Sequence, residues 1–200
     1  MPAKPASRVA LYGGAFDPVH NAHLEVARCA CRALLLDRII FIPASQSPLK
    51  LQGPQAPDAE RLEMLHLATA GEARFSVDDY ELRRGGISYT IDTVKHFRGL
   101  LDGAELFWVL GADQFEQLDR WRSVQALSSM VTYLVLARPG YSPEAPPVAG
   151  LRFTRVDAPL MEESSTMVRE KCRNSESIKG LVPEAVRSFI TEKALYASAE

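Results

Sequence analysis

The chain has 200 residues, 23 basic against 25 acidic, and a formal net charge of −2. That balance excludes the strong basic field of a general nucleic-acid binder and leaves room for a local phosphate site. With 46% hydrophobic and 24% charged residues the composition is that of a folded globular domain, and no apolar run reaches the ~20 residues of a membrane span.

The first eight residues, Met1 to Arg8, carry two prolines and no apolar h-region, so no secretory signal is expected. Cys29, Cys31 and Cys172 are too few for a disulfide framework, and the spacing of the first two does not suit a redox or zinc pair. The expectation is reduced thiols, a cytoplasmic location, and neither nucleic acid nor membrane as partner.

Residues 1–7 read as a disordered tail and residues 8–200 as a single domain, with a helical subregion over about 160–200. Val9–Tyr12 reads as a buried strand stopped by Gly13 and Gly14. The spacing of Leu24, Ala27, Arg28, Cys31 and Leu35 predicts a helix from Asn21 to Leu35. Arg38–Ile42 is a second strand, and the proline-rich stretch from Ala44 to Pro57 is a long loop of the kind that often carries function. A helix over Ala59–Thr69 is expected to bury Leu62, Leu65 and Ala68 or Thr69. There follow a weak strand at Phe75–Val77, a helix from Thr90 to Leu101, a strand at Glu105–Leu110 and a broken helix from Gln114 to Leu127. Strands at Val131–Ala137 and Leu151–Val156 and two helices, near Ser165–Cys172 and Pro183–Lys193, complete the chain. Short apolar strands alternating with helices predict an α/β fold: a doubly wound parallel sheet of five or six strands with a small C-terminal helical part.

Four stretches could carry chemistry. The first runs from Gly13 through Gly14, Ala15 and Phe16 to His23, between a strand and a helix start. Glycines there admit close approach of a ligand, and a helix N-terminus suits phosphate. His20 and His23, three apart, could donate hydrogen bonds to oxygens gaining charge. A metal pair or chance remains open at this point, although no acidic or cysteine cluster is visible to complete a metal site. In the second stretch, Ser165 and Thr166 start a helix and Arg169 lies one turn on, a phosphate-holding arrangement or an ordinary capped helix. In the third, Gly111 and Asp113 follow a strand end, where an acid can accept from ribose hydroxyls; Trp121 offers a face for stacking or plain core packing. In the fourth, Lys50 sits in the long loop as a candidate cation for a triphosphate or a solvated lysine.

The segment Gly13-Gly14-Ala15-Phe16-Asp17-Pro18-Val19-His20-Asn21-Ala22-His23 resembles the GGxFDPxHxGH element of the HxGH nucleotidyltransferases, with Ala22 in place of the motif glycine. Ser164-Ser165-Thr166 with Arg169 resembles their ISSTxxR signature, with Glu163 replacing the isoleucine. Gly111-Ala112-Asp113, Trp121, the Ser88-Tyr89-Thr90 stretch and Arg138-Pro139-Gly140 are similar to the bacterial nicotinate-nucleotide adenylyltransferases in particular. Their P-x-x-x-P-P-H-K loop is matched at Pro43, Pro48 and Lys50, with Ser47 and Leu49 as departures.

The resemblance implies a Rossmann-like fold and an enzyme of NAD biosynthesis. It would join ATP and nicotinate mononucleotide into nicotinate adenine dinucleotide and pyrophosphate. It also implies roles: His20, His23 and Arg169 on the phosphates, Gly13 to Phe16 cradling nucleotide, and Asp113 on ribose. Trp121 would stack on the nicotinate ring, with Thr90 and backbone N–H groups on its carboxylate. Mg²⁺ would be held mainly by substrate phosphates, with no protein metal site, and a homo-oligomer is possible. No lysine or arginine is expected beside Ser88–Thr93 to form a salt bridge with the substrate. The alternatives are an adenylyltransferase of another acceptor (nicotinamide mononucleotide or phosphopantetheine) and a catalytically silent nucleotide-binding protein, the latter suggested by Ala22, Leu49 and Glu163.

Overall fold

The computed structural model describes residues 6–48, 52–137, 140, 142–159 and 161–198. Lys50 and Arg138, two of the candidate binding residues, lie outside the described residues. Strands β1 (Arg8–Gly14), β2 (Arg38–Pro43), β3 (Phe75–Val77), β4 (Glu105–Gly111), β5 (Thr132–Ala137) and β6 (Phe153–Asp157) form one parallel sheet in the order β3-β2-β1-β4-β5-β6. The helices described are α1 (Asn21–Leu34), α2 (Asp58–Thr69), α3 (Tyr80–Arg84), α4 (Thr90–Leu100), α5 (Ala112–Phe115), α6 (Val124–Met130), α7 (Ser165–Arg173) and α8 (Glu184–Glu192), with a 3₁₀ turn at Leu118–Arg120.

The period of two along each strand splits its side chains between two cores. Ala10 and Tyr12 of β1, Ile39 and Phe41 of β2, and Phe107 and Val109 of β4 face one core, closed by α1, α2, α7 and α8. Val9, Leu11, Ile40, Ile42, Leu106, Trp108 and Leu110 face the other, closed by α4, α5 and α6. Burial on both faces explains the near-continuous apolar strands. The chain winds outward from β1 to β3 on one side, then returns to β4 and winds outward to β6 on the other. The reversal between β1 and β4 opens a crevice at their carboxyl ends, the place where open α/β sheets bind ligands.

Several local expectations change. Gly13 and Gly14 are the last residues of β1 rather than its stop. A Cβ on Gly13 would stand 2.8 Å from the Trp108 six-membered ring, and one on Gly14 would stand 3.1 Å from the Phe16 ring. Their missing side chains therefore admit aromatic rings of the protein itself. Leu35 leaves α1 in the left-handed conformation and is exposed. The buried face of α2 is centred on Arg61, Met64, Leu65 and Ala68, with Leu62 only half-buried. The five-residue helix α3 is too short to show a helical period, and it went unpredicted.

Gly13→Ala should be an overpacking change, because the Trp108 ring is held inside a filled core. A loss of about 1–3 kcal/mol in chemical denaturation is expected. Unchanged stability would show that the indole can move aside.

Candidate active site

Two cavities open at the crevice. The larger, about 750 Å³, is walled by His20 and His23 at the start of α1, Ser164–Thr166 and Arg169 of α7, Glu163, and Gly111 and Asp113 after β4. The smaller, about 140 Å³, is walled by Gly13, Gly14, Thr90, Trp108, Trp121 and Arg122, among others. They share Ala15, Ala44 and Ser47, so they are adjoining compartments of one cleft.

The larger compartment is built around a single carboxylate. Asp17 is buried, and its Oδ2 accepts from the Gln55 N–H at 2.7 Å. Its Oδ1 accepts from the Ala56 N–H at 3.0 Å and from the Tyr196 hydroxyl at 2.8 Å. Burial and the Asp17 charge push the Tyr196 phenol far above its ordinary range, so it remains a donor. Arg169 Nη1 donates to the Asp17 carbonyl at 2.7 Å, and Nη2 donates to Thr166 Oγ1 at 3.2 Å. Its Nε is buried without a partner among the described residues. Ser165 Oγ donates to the Pro18 carbonyl at 2.9 Å, and Ser164 caps α7 by accepting from Met167 N. Arg61, fully buried, donates from Nη1 to the Ala15 carbonyl at 2.6 Å and pairs with Asp58.

The N-termini of α1 and α7 thus converge on one cavity, and both bring the positive end of a helix dipole to it. His20 is the N-cap of α1, one position before the first turn, and His23 is the third helical residue. Their ring centroids are 3.7 Å apart. The His20 N–H donates to His23 Nδ1 at 3.2 Å, which leaves the His23 proton on Nε2. Burial pushes the His20 imidazole down to about 4, and burial with the neighbouring His20 holds His23 well below its ordinary value. Both rings are neutral at pH 7 in the free site.

The smaller compartment is aromatic. Trp121 meets Trp108 edge to face at 6.5 Å. Thr90 is the first residue of α4, and Ser88 is tied to the long loop by Ser45 N to Ser88 Oγ at 3.1 Å and by Ser88 N to the Gln46 carbonyl at 2.8 Å. Arg122 lies on this wall, with its guanidinium carbon 4.5 Å over the Tyr89 ring. This corrects the expectation that no cation stands beside Ser88–Thr93: the turn after the 3₁₀ segment carries Arg122 across a gap that sequence distance hides.

Of the residues singled out from the sequence, His20, His23, Ser165, Thr166, Arg169, Gly111, Asp113 and Ala15 line the larger compartment. Gly13, Gly14, Ala15, Thr90 and Trp121 line the smaller. The Phe16 ring lies in the core against Tyr12, His23 and Phe41, and Phe16 lines neither compartment. A Cβ on Gly111 would stand 2.6 Å from Asp113 Oδ1, so the glycine leaves room for the side-chain direction that Asp113 takes here. Sequence reasoning left Asp17, Arg61, Tyr196, Glu81 and Arg122 without roles. Arg61 had a signal, an arginine in register with the apolar face of α2. Tyr196 had none.

A six-stranded doubly wound sheet with two helix N-termini and paired imidazoles on an anion-sized cleft defines a nucleotide-handling transferase, and the cytidylyltransferase-like family matches residues 11–171. A solved structure of Plasmodium falciparum nicotinic acid mononucleotide adenylyltransferase complexed with NaAD has the same fold, at a TM-score of 0.77 and 17% identity over 95% of this chain and 97% of that one. An Opitutus terrae protein named "Probable nicotinate-nucleotide adenylyltransferase" is 42% identical over 190 residues, 94% of this chain and 97% of the relative. A Geobacillus kaustophilus protein of the same name is 40% identical over 94% of this chain and 86% of its own length. The chain belongs to the nicotinate-nucleotide adenylyltransferase family, and it is an enzyme, a nucleotidyltransferase.

Tyr196→Phe removes one of the three donors to a buried carboxylate and should cost about 1–3 kcal/mol in denaturant unfolding, without loss of the fold. Stability should also respond to acid in a defined window. The two imidazoles have folded pKa values below the unfolded 6.5, so the unfolded chain binds more protons between the two values. The His20 contribution is complete above pH 6.5 and is lost as pH falls through about 4, and that of His23 is lost on the same acid side. Unfolding free energies measured between pH 7 and 5 should decline, and a His20→Asn, His23→Asn variant should flatten that decline.

Proposed function

We propose that the larger compartment holds the ATP triphosphate and the smaller holds the pyridine ring of nicotinate mononucleotide, so that the chain makes nicotinate adenine dinucleotide and pyrophosphate. The observation that carries this division is the pair of unlike cavities meeting at Ala15, Ala44 and Ser47: one polar with converging helix N-termini, the other aromatic.

In the reaction a phosphate oxygen of the mononucleotide attacks the α-phosphorus of ATP. The new phosphorus–oxygen bond forms as the α–β bridge breaks, and pyrophosphate leaves with the bond electrons. A phosphate monoester has a second pKa near ~6, so the nucleophile is already ionised and no general base is required. The demand is alignment and stabilisation of charge. Neutral His23, on the cavity wall, keeps its proton on Nε2 as a donor, with Nδ1 locked by the backbone N–H of His20. The unpartnered Nε of Arg169 is a second donor suited to a phosphate oxygen, and the α7 N-terminus is a third. Asp113, on the wall beyond β4, suits the ribose hydroxyls.

Among the described residues no group of three His, Cys, Asp or Glu side chains is arranged to hold a metal ion. A Mg²⁺ ion brought by the triphosphate would supply charge neutralisation. Glu163, on the cavity wall, would be a carboxylate able to help hold it.

The test is pyrophosphate release from ATP with nicotinate mononucleotide, nicotinamide mononucleotide and phosphopantetheine as acceptors. Release should be fastest with the nicotinate compound, and a clear preference for either of the others would replace this assignment. His20→Ala and His23→Ala should each lower turnover about 10²–10³-fold. Arg169→Lys should recover little of the loss in Arg169→Ala, because an ammonium cannot span the Asp17 carbonyl and Thr166 Oγ1 while presenting a third donor.

A further inference from the structure

We infer that the Arg122 guanidinium selects an acidic acceptor, by receiving the ring carboxylate of the mononucleotide in the smaller compartment; this rests on the assignment of that compartment to the pyridine ring.

Arg122 is exposed, lies on the compartment wall, and has no hydrogen-bond or ion-pair acceptor among the described residues. Its guanidinium carbon stands 4.5 Å over the Tyr89 face. Stacking on an aromatic face holds a guanidinium in a plane while its edge N–H groups stay available. Tyr89 is the N-cap of α4, so the parked cation sits beside Thr90 and the positive end of that helix.

The other charged groups nearby are committed. Arg84 donates to the Ile87 carbonyl and faces Asp92 at 3.5 Å. Glu81, buried on the same wall, accepts from the Thr93 hydroxyl. A buried carboxylate on the wall disfavours entry of a second carboxylate unless a cation answers it. Arg122 supplies that cation. A nicotinamide ring presents a neutral amide whose NH₂ would face guanidinium donors, leaving one unpaired. The discrimination therefore comes from a side chain as well as from the backbone N–H groups of α4.

The experiment uses the full chain as wild type and as Arg122→Gln and Arg122→Lys. Glutamine keeps the length and polarity and removes the charge; lysine keeps the charge and loses the planar fork. The measurements are kcat/KM for nicotinate and nicotinamide mononucleotides at saturating MgATP, and the Kd of nicotinate mononucleotide by calorimetry. Arg122→Gln should lose about ten- to a hundredfold in kcat/KM for the acid, carried by KM and mirrored in Kd, while the amide value holds. Arg122→Lys should fall between. The thermal midpoint should be unchanged, since the side chain is exposed. A fall shared equally by acid and amide, or an unchanged acid-to-amide ratio, overturns the inference while leaving the enzyme assignment intact. A wild type that turns over neither mononucleotide overturns both.

Discussion

A carboxylate taken out of water must find donors, and Asp17 draws its donors from parts of the chain that are far apart. Gln55 and Ala56 come from the long loop, Tyr196 from the end of the chain, and Arg169 from α7, which binds the backbone of the same residue. Each of these segments forms cleft wall or supports a residue that does. The buried charge thus does more than stabilise. It fixes the positions of three segments relative to the end of β1. Arg61 reinforces the arrangement from below by holding the Ala15 carbonyl.

The electrostatics of the larger compartment follow a restrained pattern. Arg169 is the only cation among the described residues on its wall; the other attractions come from helix termini and neutral rings. Dipoles and neutral donors hold an anion without the tight grip of several full charges. On the proposed assignment, that suits release of an anionic product. Neutral imidazoles can also approach within 3.7 Å of each other, which two imidazolium ions would resist.

The fold was legible because its signals are local and repeated. The apolar runs of β1, β2 and β4, each ended by glycine or proline and followed in the chain by a helix, point to a doubly wound parallel sheet. The site was legible where it lies in one continuous motif, as with His20 and His23, or in a capped helix, as with Ser165, Thr166 and Arg169. What escaped was whatever depends on folding distant segments together. Nothing at position 196 announces a hydroxyl aimed at position 17, and nothing beside Ser88 announces that Arg122 stacks there. The glycines of the motif, which line the smaller compartment, also make room for Trp108 and Phe16, ring packing that no local pattern reveals.

The closeness of Gly111 to Asp113 has a consequence for how such a sequence can drift. The first atom of a side chain at 111 would stand 2.6 Å from the Asp113 carboxylate, which is the free end of an exposed side chain and can turn aside. The glycine therefore governs where the acid points, not whether it can be there. A descendant that changes the glycine can keep its acid, with the carboxylate aimed away from the place it occupies on the cavity wall.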